Sequence, residues 1–191
     1  MNRAALALGL AAWATAAACH KSSSPSASAI SAGDAVEQAP APMDPREAEA
    51  WARAESGAEE DRMRLASLVG CASLRERGEV AARRSTAVRA MSYCDDFSEL
   101  PWLASIAASG RDDEAAQALD SIVDQAARPR RPTDPEDGQE LWAGCQALLE
   151  LSRSSGQARA RRVMAVRALR MLSDRGCVKR GDIPSDLDAK N

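Results

Sequence analysis

The sequence predicts an all-α fold, a short α-solenoid of about three helical hairpins that follows a disordered linker. The clearest signal is in residues 138–177, where apolar or small residues recur at i, i+4, i+7 and i+8 and so lie on one side of a helix. They are Leu141, Cys145, Leu148, Leu149 and Ser152. In addition, parts of this segment recur earlier in the chain, and no stretch alternates apolar and polar residues as a β-strand does.

Residues 1–18 are predicted to be a signal peptide and not part of the fold. Arg3 supplies a positive charge, and an apolar segment of about a dozen residues follows, shorter than the roughly 20 residues that span a bilayer. Ala16-Ala17-Ala18 then precedes Cys19. The segment resembles the signal of bacterial lipoproteins, with Ala16 in place of the usual leucine of the lipobox. The resemblance implies that Cys19 is lipidated and becomes the first residue of the mature chain.

The cysteine count favours lipidation over plain secretion, whose signal would be cut at the same bond. The chain has five cysteines, and an odd number is awkward in a secreted protein, where thiols usually pair. Lipidation of Cys19 leaves Cys71, Cys94, Cys145 and Cys177. We therefore expect an exported protein, lipid-anchored to the cell envelope at the outer membrane and facing the periplasm. Plain secretion and an uncleaved N-terminal anchor are the alternatives.

Residues 19–43 are predicted to be a disordered linker. Serine, alanine and proline dominate this stretch without helical or strand periodicity, so it cannot bury enough apolar surface to offset the entropy of ordering. A linker of this length can hold a domain tens of ångströms from the membrane. Removing residues 1–18 takes away one base and no acid, so the net charge of −3 becomes about −4. This balance and the predicted export argue against a nucleic-acid partner.

The predicted helical domain, residues 44–177, begins with a well-marked helix. Asp44 is suited to cap the helix, Pro45 suits its first position, and Glu47 stands where a capping-box acid belongs. A longer helix is predicted from Glu59, and a partner helix from 79 to about 94. The apolar face of the longer helix comprises Leu65, Leu68, Val69 and Ala72.

Two more helices and a loop follow. Ser98 is predicted to cap a helix that carries Pro101 in its first turn and stops at Gly110. The next helix starts at Asp112, and residues 127–136, with three prolines, form the longest internal loop. The apolar residues of that helix follow a period of 3.6: Ala116, Leu119, Ile122, Val123 and Ala126.

The last hairpin turns at Ser154-Ser155-Gly156, and its second helix runs from about Gln157 to Arg175. Gly176 is expected just after the helix end with a positive φ. A polar tail, residues 178–191, is predicted to follow. The face that packs on the preceding helix comprises Met164, Ala165, Ala168, Leu169 and Leu172.

An internal repeat relates the first and last hairpins. Residues 78–90 align without a gap on residues 156–168, and Gly70-Cys71 aligns on Gly144-Cys145. The segments EVAARRSTAVRA, from residue 79, and RDDEAAQALD, from residue 111, resemble the second helices of bacterial HEAT-like repeats. The resemblance covers about residues 59–175 and implies a protein-binding surface in most cases and an enzyme in few. Packing like a four-helix bundle is the alternative.

Disulfides are expected among the four interior cysteines. The repeat favours Cys71–Cys94 and Cys145–Cys177, although Cys177 must then fold back roughly 10 Å to reach its partner. Cys94–Cys145 with Cys71–Cys177 is the other pairing considered. Redox catalysis is disfavoured because there is no C-x-x-C motif and the single histidine lies in the linker.

Basic residues concentrate near the C-terminus. Nine bases and one acid occur between Arg153 and Arg180. Helical geometry places Arg159, Arg167 and Arg170 within about 80° of one another on the outer side of the last helix. They form either a solvated face or a docking patch for anionic lipid headgroups or an acidic partner. One candidate partner, within or between molecules, is the acidic first helix with Glu47, Glu49 and Glu55.

No catalytic residue, metal site or cofactor is predicted. Residues 174–182 are similar to the second half of an EF-hand loop, but Met171, Ser173 and Arg175 occupy the first ligand positions, leaving too few oxygens to hold calcium. The tryptophans of the domain are expected to be packing anchors, because each lies near a helix start. They are Trp51, Trp102 and Trp142.

The function predicted from these features is that of a lipid-anchored envelope protein whose helical-repeat domain binds or organises another protein. One alternative is an enzyme similar to the few HEAT-like lyases, which would need a polar cleft with clustered acids. The acids offered for it are Asp95-Asp96 and Asp112-Asp113. The other alternative is a structural component that binds anionic lipid or polysaccharide through the arginine face.

Overall fold

A computed structural model describes residues 43–129, 138–185 and 187, and within these ranges helices are the only regular secondary structure, which confirms the all-α fold class. The predicted signal peptide, Cys19 and nearly all of the linker lie outside the described residues. The α-helices are α1 (Pro45–Glu55), α2 (Glu59–Val69), α3 (Cys71–Gly78), α4 (Ala81–Ala90), α5 (Leu100–Ser109), α6 (Asp112–Ala127), α7 (Gln139–Arg153) and α8 (Arg159–Ser173).

Consecutive helices form antiparallel pairs, and the pairs pack on one another. α3 pairs with α4, α5 with α6, and α7 with α8, while α1 packs on α2. Between pairs, α5 contacts α7, and α6 lies between α4 and α8. All eight helices contribute to one hydrophobic core. Its fully buried side chains include Leu65, Leu74, Val88, Leu103, Ile122, Leu148 and Leu169.

The start of α1 has two of the three capping features that the sequence predicts. Asp44 Oδ1 accepts a hydrogen bond from the Arg46 backbone N–H at 2.7 Å, and Pro45 is the first helical residue. Glu47 instead accepts hydrogen bonds from the side chains of Trp51 and Arg77, so its carboxylate holds α1 to α3.

The single long helix predicted from Glu59 is wrong, because the chain breaks at Gly70. Gly70 has φ +77°, a conformation that non-glycine residues rarely adopt, and it separates α2 from α3. The break leaves Leu68 53% exposed. It also leaves Ala72 exposed, so neither residue belongs to a buried face as predicted.

The approach to α5 also differs from the prediction. α4 ends at Ala90, and a short 3₁₀ turn, Met91–Tyr93, replaces the rest of the expected helix. Ser98 does not cap α5, which begins after Glu99 without a side-chain cap. The Ser98 backbone N–H donates to Asp96 Oδ1 at 2.9 Å, so the turn before the helix is closed by Asp96.

The predicted polar tail contributes to the core. Val178, Ile183 and Leu187 are buried with the helical residues, so the domain does not end at residue 177. Arg153 Nη2 donates to the Asp182 carbonyl at 2.8 Å, which ties the tail to the end of α7. The burial of these three apolar side chains is the physical reason why the tail packs on the helices.

Candidate interaction surface

Two disulfides close the first and last hairpins. Cys71 is bonded to Cys94 and Cys145 to Cys177, with Cα–Cα distances of 5.9 and 6.2 Å. This is the pairing that the internal repeat favours. Gly176, with φ +83°, lets the chain fold back after α8 so that Cys177 reaches α7. Two disulfides are compatible with an exported protein in an oxidising compartment.

The basic residues of α8 divide into two groups. Arg159, Arg167 and Arg170, the predicted docking residues, are exposed on the outer side of the helix. Arg161 instead lies between helices, where it donates to the Gly110 carbonyl at 3.2 Å and to Asp112 Oδ1 at 2.6 Å. Arg162 Nε donates to the Ser152 carbonyl at 2.9 Å. We call the exposed group, Arg159, Arg167 and Arg170, the basic row.

An acidic row on the neighbouring helix was not predicted. Asp113, Asp120 and Asp124 of α6 are exposed, and their spacing of seven and four residues places them on one side of the helix. Asp113 pairs with Arg111 at 3.6 Å. The helical periodicity that identified the buried side of α6 also contained this signal, on the opposite side.

A cleft of about 240 Å³ separates the two rows. α6 and α8 run in the same direction, since Arg161 bonds Asp112 at their N-terminal ends and Arg175 Nη2 bonds the Arg128 carbonyl at their C-terminal ends. Val163 of α8, next in sequence to the lining residue Met164, is exposed. We call the acidic row, the cleft and the basic row together the α6–α8 face. The apolar residues lining the cleft are Ala116, Leu119, Ala158, Ala160 and Met164.

Two acids of α1, Glu47 and Glu49, are engaged within their own neighbourhood. Glu47 pairs with Arg77 at 3.2 Å and Glu49 with Arg53 at 2.6 Å. Between described residues, no ion pair joins these glutamates to the basic row. A larger cleft of about 430 Å³ lies beside Glu47 and Arg77 and is bordered by exposed Leu68.

The acid pairs considered for an enzyme lie apart. Asp112-Asp113 begins α6, whereas Asp95 lines a cavity of about 90 Å³ with Gln125 and Arg128 near its end. A helix of 16 residues separates them by about 24 Å. Gln125 and Arg128 donate to backbone carbonyls of residues 92–96, so they hold that segment in place.

Glu99 is a carboxylate removed from most solvent. Its side chain is 12% exposed, and Arg75 Nη1 lies 3.5 Å from Oε2. Burial raises the pKa of Glu99 above its ordinary value, and the charge of Arg75 opposes the rise only in part. This carboxyl contacts neither row of the α6–α8 face.

The tryptophans differ in their surroundings. Trp51 and Trp102 are buried, and their indole N–H groups donate to Glu47 and Glu79 at 3.3 and 2.9 Å. Trp142 is 58% exposed, so its predicted role as a packing anchor is wrong.

The described residues form neither a metal-binding cluster nor a membrane-spanning helix. Within residues 43–129, 138–185 and 187, no group of three or more histidine, cysteine or acidic side chains is placed to hold a metal ion. None of the helices in this part of the chain has the length and apolar character needed to cross a membrane. Comparison of the chain with known protein families, with curated proteins and with solved structures finds no match.

Proposed function

We propose that this chain is an exported, lipid-anchored protein of the bacterial cell envelope whose helical domain binds another protein. The signal-like residues 1–18, the lipobox-like Cys19 and the linker support the anchor. The two disulfides support export. The outer membrane, facing the periplasm, is the proposed location.

A HEAT-like arrangement of the domain is part of this proposal. It is supported by the three consecutive pairs α3/α4, α5/α6 and α7/α8, in which α6 packs on α4 and α8. Repeat-equivalent residues also have equivalent contacts. Arg84 Nε donates to the Gly78 carbonyl at the end of α3, and Arg162 Nε to the Ser152 carbonyl at the end of α7.

The α6–α8 face is the observation that carries the protein-binding function. Protein interfaces combine an apolar centre with a polar, often charged rim. The cleft between Ala116 and Ala160 supplies the apolar centre, and the acidic and basic rows supply the rim. Opposite charges on the two sides favour one orientation of the bound partner and speed its association.

Binding to anionic lipid is a second candidate, favoured by the basic row. A flat anionic surface that contacts Arg167 also meets the acidic row, since packed helices lie only about 8–10 Å apart. Repulsion at Asp120 and Asp124 therefore opposes this mode, whereas a shaped protein partner can match both signs.

Site-specific photo-crosslinking in intact envelopes tests the protein-binding function. A photoreactive residue at Val163, on the α6–α8 face, is expected to give a discrete crosslinked product that mass spectrometry identifies. Arg167→Glu should abolish the product. Val80, an equally apolar and exposed residue before α4, is the matched control. The same products from both positions would contradict the proposal, and binding to phosphatidylglycerol vesicles through Arg167 would favour the lipid candidate.

The anchor is tested separately by the intact mass of the protein from the membrane fraction. We expect an added mass corresponding to acyl chains, and release of the protein from membranes when Cys19→Ala removes the modified thiol. An unmodified Cys19 would contradict lipidation but leave the binding function standing.

A further inference from the structure

We propose that the partner of the α6–α8 face is the same face of a second copy of this chain, in a two-fold symmetric dimer. This inference rests on the proposed protein-binding function and names the partner. Three features of the face support such a dimer: the heights of the charges along the helices, the symmetry that those heights allow, and the position of the apolar cleft.

The two rows match in length and height. Asp113 to Asp124 and Arg159 to Arg170 each cover eleven residue steps, which correspond to about 16 Å of helix. Because Asp112 bonds Arg161 and the helices run in the same direction, the two N-terminal ends lie side by side. Asp120 therefore lies at a height similar to that of Arg167.

A two-fold axis parallel to the helices, between α6 and α8, brings α6 of one copy against α8 of the other. Helix direction is preserved by this rotation, so Asp120 meets Arg167 of the second copy and Asp124 meets Arg170. The symmetry repeats both contacts on the other side of the axis. A face-to-face axis across the helices would instead place α6 on α6 and acid on acid, which like-charge repulsion disfavours.

The apolar cleft lies where such a dimer needs it. Its lining comes from the facing sides of α6 and α8, with the paired Asp112 and Arg161 among the residues. An axis between these helices therefore passes beside the cleft and brings its two copies together. Val163, 37% exposed, adds an apolar side chain on the same surface. Burial of these groups supplies the favourable free energy, while the charged rows fix the orientation.

Three of the charges are available for contacts with another molecule. Asp120, Asp124 and Arg167 make no hydrogen bond or ion pair with any residue that the structure describes, and all three are exposed. The contact between Asp120 and Arg167 in a dimer therefore breaks no interaction within the domain. This separates them from Arg161, whose charge is already used between α6 and α8.

Charge reversal tests the dimer. The full chain with Cys19→Ala, which removes the acyl group as a cause of association, is exported and its disulfides confirmed. Sedimentation velocity should show a monomer–dimer equilibrium. Asp120→Lys with Asp124→Lys, and separately Arg167→Glu with Arg170→Glu, should each raise the dissociation constant at least about tenfold. An equimolar mixture of the two variants should restore dimers, because each reversed row meets a reversed partner.

Controls distinguish electrostatic pairing from damage to the fold. Arg64→Glu and Glu150→Lys reverse exposed charges on α2 and α7 and should leave the dissociation constant unchanged. If a reversed variant unfolds, the salt dependence of the unaltered chain serves instead, with weaker association expected at high ionic strength.

Several results would overturn the inference. One is a chain that stays monomeric into the millimolar range, and another is a mixture of variants that does not recover association. A dimer whose dissociation constant changes neither with the charge reversals nor with salt would also overturn the inference. If the Val163 crosslink joins the chain to a different protein and no dimer forms, the inference fails while the proposed function stands. If no crosslink forms at all, both fail.

Discussion

Gly144 of α7 lies directly against the side chain of Leu100 on α5. A Cβ on Gly144 would come within 2.7 Å of Leu100 Cδ2 and 2.9 Å of its Cβ, far closer than side chains tolerate. Leu100 is fully buried and cannot move aside. We therefore expect Gly144→Ala to lower the free energy of unfolding by about 1–2 kcal/mol, although alanine gains about 1 kcal/mol of helix propensity.

Urea unfolding followed by circular dichroism, with both disulfides intact, measures this effect. Gly181→Ala is the matched control, since a Cβ there meets no atom within 4 Å. Equal or greater stability of Gly144→Ala would show that α5 and α7 are not in close contact at this point.

Removal of the Cys145–Cys177 bond by serine at both positions should cost about 3–4 kcal/mol. The bond closes a loop with a sequence separation of 32, and the chain-entropy estimate grows slowly with loop length. The equivalent change at Cys71 and Cys94, with a separation of 23, should cost slightly less. Unfolding curves measure the loss, and peptide mapping without reduction checks the connectivity. A peptide that joins Cys94 to Cys145 would contradict the pairing.

Arg162→Met should destabilise the domain by about 1–2 kcal/mol. The side chain bonds the Ser152 carbonyl, which lies in the last turn of α7, where carbonyls lack a helical partner. Because Ser152 is fully buried, water cannot replace the lost donor. Thermal unfolding gives the comparison, with Arg64→Met at an exposed site of α2 as control. Equal losses in the two variants would assign the effect to charge and not to the hydrogen bond.

Glu99 should make stability depend on pH in a defined direction. Burial raises its pKa in the folded state, so the folded protein holds this proton more tightly than the unfolded chain does. The contribution of Glu99 is therefore present below the ordinary carboxyl pKa and is lost as pH rises through the raised one. Glu99→Gln, which stays uncharged, should gain stability relative to the unaltered chain as pH increases from about 4.

Unfolding free energies of the two proteins across this range provide the test, and Glu150→Gln controls for loss of a charge at an exposed position. If the difference in unfolding free energy between the unaltered chain and Glu99→Gln stays constant with pH, Glu99 does not cause the predicted pH dependence.

The spacing of apolar residues predicted the helices that have a wide apolar stripe. It did not predict the break at Gly70 or the burial of the C-terminal tail, which carry no such stripe. α6, α7 and α8 were located within a few residues because Leu119, Leu148 and Leu169 recur with others at helical spacing. Gly70 gave no comparable signal, since an isolated glycine inside a helical pattern is tolerated and does not by itself mark a break. The buried tail was missed because its three apolar residues follow no regular period.

The candidate site was predictable one helix at a time. Spacing alone grouped Arg159, Arg167 and Arg170, and the same rule applied to α6 groups Asp113, Asp120 and Asp124. Placing the two rows side by side requires the contact between α6 and α8, which joins residues nearly fifty positions apart. Such a contact depends on how the hairpins stack and leaves no mark in the pattern of either helix.

The two disulfides determine which segments of the chain carry a mechanical load. Each disulfide joins cysteines within one outer hairpin, so a pull on the two ends bypasses residues 71–94 and 145–177. Tension acts instead on the parts outside these loops, which are α1 and α2 before Cys71 and the stretch from Cys94 to Cys145 with α5 and α6. At about 3.6 Å per residue, the fifty or so residues between Cys94 and Cys145 would extend to roughly 180 Å with both disulfides intact. The middle hairpin and the first two helices are therefore the parts of the domain that would unfold first if the chain were pulled by its two ends.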